Sequence, residues 1–350
     1  MIKRKIIVGM SGGVDSSVAA YLLQKQGYDV IGVTMRTGSD AGGDRVISDA
    51  GHICRQLGIE HVVVDYSDEF DKYVKSYFVG EYLRGHTPNP CTVCNRFVKW
   101  QSMIEHREEL GADLVATGHY ANVIKLENGR YALQTADSQK DQTYALYRLT
   151  QEQLSKTVMP LGRYDKDKVR DIAKEAGLDV FDKPDSMEIC FIPDHDYAKY
   201  IEEYTGTKLP EGNFVTPDGN VVGTHKGITH YTVGQRKGLG IAFGKPMFVS
   251  EIRPETNEVV LSEGNEVFST ELIADSVNWM AAKGLEEGST LRARAKVRYS
   301  HTTAECTVYP YGDDKIKVEF DEKVRAVTPG QSVVMYDDKG IVIGGGTIVK

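Results

Sequence analysis

No stretch of this 350-residue chain stays apolar for long enough to cross a bilayer. Nor does Met1-Ile2-Lys3-Arg4-Lys5 lead into an apolar core with a cleavage site, so no signal peptide is expected. These absences predict a cytoplasmic protein with no membrane partner. Cysteine is sparse, with 5 residues, and in that compartment free thiols, metal or catalysis come before structural disulfides. Surplus positive charge is missing too, the net charge being -8. That excludes a surface coated for nucleic acid, so any nucleic-acid partner has to be met by local basic patches. Repeats and low-complexity tracts are absent, and the length leaves room for two or three domains.

What is present begins with a glycine turn. Ile6-Ile7-Val8 reads as a buried strand, and Val14, Val18, Leu22 and Leu23 recur at helical spacing. Between and across them runs Gly9-Met10-Ser11-Gly12-Gly13-Val14-Asp15-Ser16-Ser17. Strand, glycine turn and helix N-terminus make an anion site, because backbone N–H groups converge and the helix dipole favours negative charge. Gly12 and Gly13 allow close approach to a phosphate, and Ser11, Ser16 and Ser17 add hydroxyl donors. The run has no Walker-type lysine, which excludes a loop built for γ-phosphoryl transfer.

From 5 to 149 strand and helix patterns alternate. Strands are expected at 30–35, 60–65 and 114–117, and helices at 46–57, 70–83 and 93–110, with loops over 37–44 and 84–91. This predicts an α/β fold with a parallel sheet and helices on both faces. Ligands then sit at the carboxyl ends of the strands, where Met35 is expected to pack on an adenine and Gly118 to leave room for the nucleotide. A helix follows at 164–177, and a loop at 182–196 holds Cys190. After 204 glycines are dense and strands short, which predicts all-β modules over 213–252 and 271–350. The alternation within 291–349 suggests a small barrel.

Cys91-Thr92-Val93-Cys94 is a C-x-x-C pair in a loop entering a helix. It suits half a zinc site, a redox pair or a cluster ligand set, and no second pair at zinc spacing follows. A helix N-terminus lowers a thiol pKa, which suits Cys94 as a nucleophile. Cys54 and Cys306 read as packing residues. Arg292, Arg294, Lys296 and Arg298 alternate, so a strand would put four unopposed charges on one face as a phosphate-tracking stripe or a merely solvated one. The loop 234–240, with Arg236 and Lys237, is a second basic candidate.

The glycine loop resembles the pyrophosphate-binding (PP) loop of ATP pyrophosphatases. The resemblance sharpens with Thr87-Pro88-Asn89-Pro90, Cys94-Asn95, Ala116-Thr117-Gly118-His119-Tyr120, Lys140-Asp141-Gln142, Ile189-Cys190-Phe191-Ile192, Gly234-Gln235-Arg236-Lys237-Gly238-Leu239-Gly240 and Thr328-Pro329-Gly330-Gln331. In this order they look like the tRNA-specific 2-thiouridylase family (MnmA type). That resemblance implies a PP-loop catalytic domain over 1–204, a small central β domain over 205–268 and a C-terminal β-barrel over 269–350. It implies ATP and Mg2+ as cofactors, with Gly9, Met10, Ser11, Gly12, Gly13, Val14, Asp15, Ser16, Met35 and Gly118 binding the nucleotide. The tRNA wobble uridine would be adenylated and then thiolated. Cys190 would carry the sulfur as a persulfide, with Cys94 as the partner thiol that closes a disulfide. Asn89, Pro90 and Cys91 would line the target base, while His119, Lys140, Asp141, Gln142, Arg298, Tyr299 and Gln331 contact tRNA. A sulfur donor such as a cysteine desulfurase or relay protein is the implied partner. The family commonly has an acidic residue where Cys91 stands, so Cys91, Cys94 and Cys190 also raise the alternative of a [4Fe–4S] cluster. The rival functions are another adenylating ligase or amidotransferase of the superfamily, and a non-enzymatic RNA-binding module.

Overall fold

Apolar runs spaced by amphipathic helices produce a five-stranded parallel sheet. The structure, a computed structural model, describes residues 3–38, 41–183, 189–241 and 244–350, without the side chains at 41, 42, 265 and 266. In chain order come β1 (Lys5–Gly9), α1 (Val14–Lys25), β2 (Asp29–Arg36), α2 (Ala41–Leu57), β3 (Glu60–Asp65), α3 (Ser67–Phe70), α4 (Ser76–Leu83), α5 (Pro90–Cys94), α6 (Gln101–Glu109) and β4 (Leu114–Ala116). Then follow the hairpin β5 (Asn122–Lys125) and β6 (Tyr131–Gln134), α7 (Thr143–Leu146), α8 (Gln151–Ser155), β7 (Thr157–Val158), α9 (Lys166–Glu175) and α10 (Tyr197–Thr205). Wide π-helical turns, Asp71–Lys75 and Asn95–Trp100, join α3 to α4 and α5 to α6.

The sheet order is β3-β2-β1-β4-β7. Along β1, Ile6 and Val8 pack with Val18 and Leu23 of α1, Ile53 of α2 and Val169 of α9. Ile7 faces the other way, into a core with Ile31, Trp100 and Met103. This period of two is why the run is apolar throughout: both faces are covered. Chain direction across the sheet reverses at β1, with β2 on one side and β4 on the other. The crevice at their carboxyl ends is the topological switch point.

Two boundaries differ from expectation. Helix α2 starts at Ala41, inside the expected loop 37–44. Helix α5 starts at Pro90, so the loop expected to reach 91 stops at Asn89. Asn89 caps α5 by accepting the Cys91 N–H at 3.2 Å, and Pro90 sits where no donor is needed.

The central domain pairs β8 (Gly212–Val215), β9 (Val221–His225), β10 (Met247–Arg253) and β11 (Glu258–Glu263) in the order β10-β11-β8-β9. The last six strands are β12 (Phe268–Trp279), β13 (Leu291–Lys296), β14 (Ala304–Pro310), β15 (Ile316–Arg325), β16 (Ser332–Tyr336) and β17 (Val342–Ile348). They close as β12-β15-β14-β13-β16-β17. Strand β12 opens the barrel at Phe268, ahead of the alternation noted over 291–349. Its register shifts twice, which breaks simple alternation along it.

The barrel is built into the first domain. Tyr144 and Tyr147 share one core with Met280, Val334, Tyr336 and Val342 of the barrel region. Tyr144 Oη donates to Ser332 O (2.8 Å), and Asn278 Nδ2 donates to Tyr147 O (2.6 Å) and Leu149 O (3.0 Å). Among the described residues no helix is long and apolar enough to cross a membrane.

Candidate active site

The turn after β1 is held from both sides. Met10 N–H donates to Val33 O (2.8 Å), and Thr34 Oγ1 donates to Met10 O (3.0 Å). Gly12 has φ +65, and a Cβ there would lie 2.5 Å from Asp49 Cβ, so glycine is required on both counts. Gly13 is the N-cap of α1, and Ser17 N–H donates back to its carbonyl. The first N–H groups of the helix are thereby left to a ligand. Ser16 and Ser17 do not aim their hydroxyls outward as expected. Both are buried and donate to Gly13 O at 3.2 and 2.8 Å, because a short hydroxyl in the first turn reaches its own backbone. Ser11 remains exposed. Asp15 accepts from Tyr120 Oη at 2.7 Å and meets Lys166 Nζ at 2.8 Å from both carboxylate oxygens.

The turn after β4 closes on this loop. A Cβ on Gly118 would lie 2.5 Å from Asp15 C and 2.6 Å from Ser16 N. Glycine at 118 lets this turn pack directly on the chain's own helix start. Met35, at the end of β2, is half-buried against the core that holds Ile31 and Trp100. His119 Nδ1 lies 2.8 Å from Thr117 Oγ1, and its ring is 5.4 Å from that of Trp100. Burial, with the Lys99 charge, pushes the imidazole pKa down to about 3, so His119 is neutral at physiological pH.

Cys91 and Cys94 occupy α5, three residues apart and so on neighbouring positions of one helix face. Cys91 and Cys190 are exposed and Cys94 is buried. The expected low pKa of Cys94 is not found. Burial pushes the thiol up to about 12 against the pull of Lys99, because desolvation of a thiolate exceeds what a helix end returns. The wide turn Asn95–Trp100 accounts for Lys99. In an α-helix the fifth residue on lies about 140° round from the first, and a π turn brings it back toward the same side. Burial works against the Lys99 ammonium, but Cys94, Cys91 and Cys190 outweigh it and hold its pKa above the ordinary value. All three thiols thus act on one ammonium. They do not fit the [4Fe–4S] alternative as they stand. Cys94 turns into the core while the other two are exposed, and among the described residues no group of three His, Cys, Asp or Glu is placed to hold a metal. Residues 184–188 of the Cys190 loop lie outside the described residues.

Two of the expected tRNA contacts, Gln331 and Arg298, also tie the domains together, and Gln142 and Asp141 bond within the first domain. Gln331 Nε2 donates to Thr87 O (2.7 Å), and Thr87 N–H donates to Pro329 O (2.9 Å), so the barrel braces the segment leading to Asn89. Arg298 Nη2 donates to Val233 O (2.8 Å) and to Thr328 Oγ1, which ties the central domain to the barrel. Gln142 Oε1 accepts the Tyr120 N–H (2.9 Å), and Asp141 accepts from Ala136 N–H (3.0 Å) and Thr143 Oγ1 (2.7 Å). Lys140 and Tyr299 are exposed. The Tyr299 ring lies 6.2 Å from that of Tyr144 of the first domain, and burial raises its pKa, with the charges of Asp141 and Cys91 adding to it.

The basic stripe is only partly available. Strand β13 carries Arg292, Arg294 and Lys296 outward with Ala293 and Ala295 buried, and Arg298 lies beyond its end. Arg292 is opposed, contrary to expectation: Asp321 takes it at 2.8 and 2.9 Å, with Glu305 at 3.4 Å. Arg294 and Lys296 line a cavity of about 180 Å³ with Asp141 and Tyr336. Arg294 gives Nη2 to Asp337 O (3.0 Å), while its buried Nε has no partner among the described residues. Lys296 Nζ lies 5.4 Å over the Tyr299 ring. Cys54 and Cys306 are fully buried packing residues, as expected. Sequence reasoning missed Lys99, which the wide turn brings back toward Cys94, and Tyr120, Lys166 and Lys183, which meet their partners through long-range folding.

Known proteins match along the whole chain. Residues 4–194 match a tRNA methyl transferase HUP domain, 198–263 a tRNA methyl transferase PRC-barrel domain and 269–348 an aminomethyltransferase β-barrel domain. The tRNA-specific 2-thiouridylase MnmA of Lachnoclostridium phytofermentans is 53% identical over 99% of this chain and 100% of its own. The protein of the same description from Clostridioides difficile is 51% identical over 100% and 99%. A solved U34-tRNA thiolase, NcsA from Methanococcus maripaludis with its [4Fe-4S] cluster, is far more distant: 20% identical, TM-score 0.37, covering 57% of this chain and 66% of its own. Full-length identity of this order, with the PP-loop, sheet and closed barrel already in place, means that the chain belongs to the tRNA-specific 2-thiouridylase family.

Proposed function

We propose that this protein converts the wobble uridine of tRNA to 2-thiouridine, with ATP as the activating substrate. The observation that carries the reading is a pair of neighbours in one turn. Gly118 packs against the backbone of Asp15 and Ser16, where the phosphate loop enters α1, and its neighbour His119 stands beside Trp100 and the Lys99 charge. The same Lys99 charge acts on Cys91, Cys94 and Cys190, which supports activation and sulfur delivery at one site. The wobble base has to leave its stack to enter.

The uridine 2-oxygen attacks the α-phosphorus of ATP. The bond to the bridging β-oxygen breaks, and pyrophosphate leaves with that electron pair. The terminal sulfur of a Cys190 persulfide then adds to carbon 2, and the C–O bond to AMP breaks. Cys94 sulfur attacks the Cys190 sulfur, the persulfide bond breaks, and sulfur stays on the base. The resulting Cys94–Cys190 disulfide returns to two thiols by taking two electrons from an external dithiol. Lys99 supports the anionic sulfur species through charge, and neutral His119 offers a hydrogen bond without adding a cation. Magnesium, arriving on the triphosphate, would add charge neutralisation where Asp15 is the loop's own carboxylate. Exposed Cys190 can accept sulfur from a donor protein. The test is pyrophosphate release from ATP with unmodified and with already thiolated tRNA. Release that does not depend on an unmodified wobble uridine refutes the reading.

A further inference from the structure

The phosphate loop contains no lysine, yet two ammonium groups reach it from distant parts of the chain. Lys166, the first residue of α9, places Nζ 2.8 Å from both oxygens of Asp15, with its side chain only 12% exposed. Lys183 places Nζ 2.9 Å from Gly12 O and 2.6 Å from Asp49 Oδ2. One cation holds the helix side of the loop and the other holds the glycine side. Tyr120 Oη also donates to Asp15 at 2.7 Å, so that carboxylate keeps a partner if Lys166 moves off it.

We infer that Lys166 is the phosphate-binding ammonium of this site, with Lys183 as a positioning residue for the loop. The inference rests on the reading that ATP is the substrate. Loss of pyrophosphate concentrates several negative charges where α1 begins, and a helix N-terminus supplies only about half a positive charge. A positioned lysine is the ordinary complement as a point charge on phosphate oxygens. Lys166 already stands at the N-terminal end of α1, and it holds the carboxylate that a metal-bound pyrophosphate would engage. Entry of the pyrophosphate end therefore lets Nζ pass from Asp15 to phosphate oxygen, while Asp15 keeps Tyr120. Lys183 stays on Gly12 O and Asp49, fixing the turn whose N–H groups face the anion. The ammonium that a Walker loop carries within its own sequence is thus supplied here through tertiary structure.

The test is calorimetric titration of the full-length protein with magnesium pyrophosphate and, separately, with AMP. Lys166→Met is expected to weaken pyrophosphate binding roughly ten- to hundredfold, the loss typical of one charged hydrogen bond, while AMP binding stays within about twofold. Lys166→Gln retains a donor for Asp15 without the charge and is expected to lose pyrophosphate binding to the same extent. It keeps the inference testable if the methionine variant is unstable. Lys168→Met, an exposed lysine on the same helix, controls for net charge and is expected to bind like the wild type. Wild-type pyrophosphate affinity in both Lys166 variants overturns the inference and leaves the ATP reading intact. Equal weakening of pyrophosphate and AMP also overturns it, since it reduces Lys166 to a structural partner of Asp15. A wild-type protein that binds neither ligand refutes the ATP reading itself.

Discussion

Neutralising Arg294 and Lys296 together should flatten the salt dependence of tRNA binding, whereas neutralising Arg292 should not. The contrast follows from geometry. Arg292 already spends its charge on Asp321 and Glu305. Among the described residues no carboxylate forms an ion pair with Arg294 or Lys296, and both line the cavity shared with Asp141 and Tyr336. Each phosphate contact contributes about 0.7 to 0.9 to the log–log slope of affinity against salt, so losing two removes about 1.4 to 1.8. Between about 50 and 200 mM salt the gap between wild type and Arg294→Gln/Lys296→Gln should then shrink roughly seven- to twelvefold. Fluorescence anisotropy with unmodified tRNA at four salt concentrations measures this directly. An unchanged slope in the double variant refutes phosphate contact at the cavity. A slope that falls as much in Arg292→Gln refutes the argument that ion pairing removes a cation from the stripe.

Gly118→Ala should abolish nucleotide binding and destabilise the fold by about 1–3 kcal/mol, since its Cβ meets backbone atoms of Asp15 and Ser16 that cannot swing aside; normal ATP affinity in a stable variant would contradict the close packing. Cys94→Ser and Cys190→Ser should each stop thiolation while tRNA-dependent pyrophosphate release continues, and Cys91→Asp should thiolate normally from a persulfide donor; an active Cys190→Ser variant would exclude the persulfide route. His119 has a folded pKa of about 3 against an ordinary 6.5, so the folded state binds fewer protons below that value. Its stabilising contribution is complete above pH 6.5 and is lost as pH falls toward 3, at no more than about 1.4 kcal/mol per pH unit. Urea unfolding of His119→Gln between pH 7 and 4, compared with wild type, should show a shallower fall, and parallel curves would place a charged imidazole in the folded protein.

Much of the catalytic domain was legible because its signals are local. Ile6-Ile7-Val8, the glycine turn and the periodic residues of α1 lie within a few turns of chain, so period and turn chemistry define them. The cap at α5 is equally local, since Asn89 precedes Pro90, yet the loop expected to reach 91 ran past it, and the thiols' electrostatics were not local. A helix start predicts a low thiol pKa, and only packing shows that Cys94 is buried with Lys99 beside it. The same division separates Arg292 from Arg294: alternation puts both on one face, and the opposing Asp321 comes from another strand. Composition and order of motifs along the chain determined the parallel sheet, the phosphate loop and the family. Tertiary structure decided which charges remain available. Lys166 and Asp15, Lys183 and Gly12, and Gln331 and Thr87 are far apart in sequence, and no local periodicity encodes contacts made only when the sheet and barrel close.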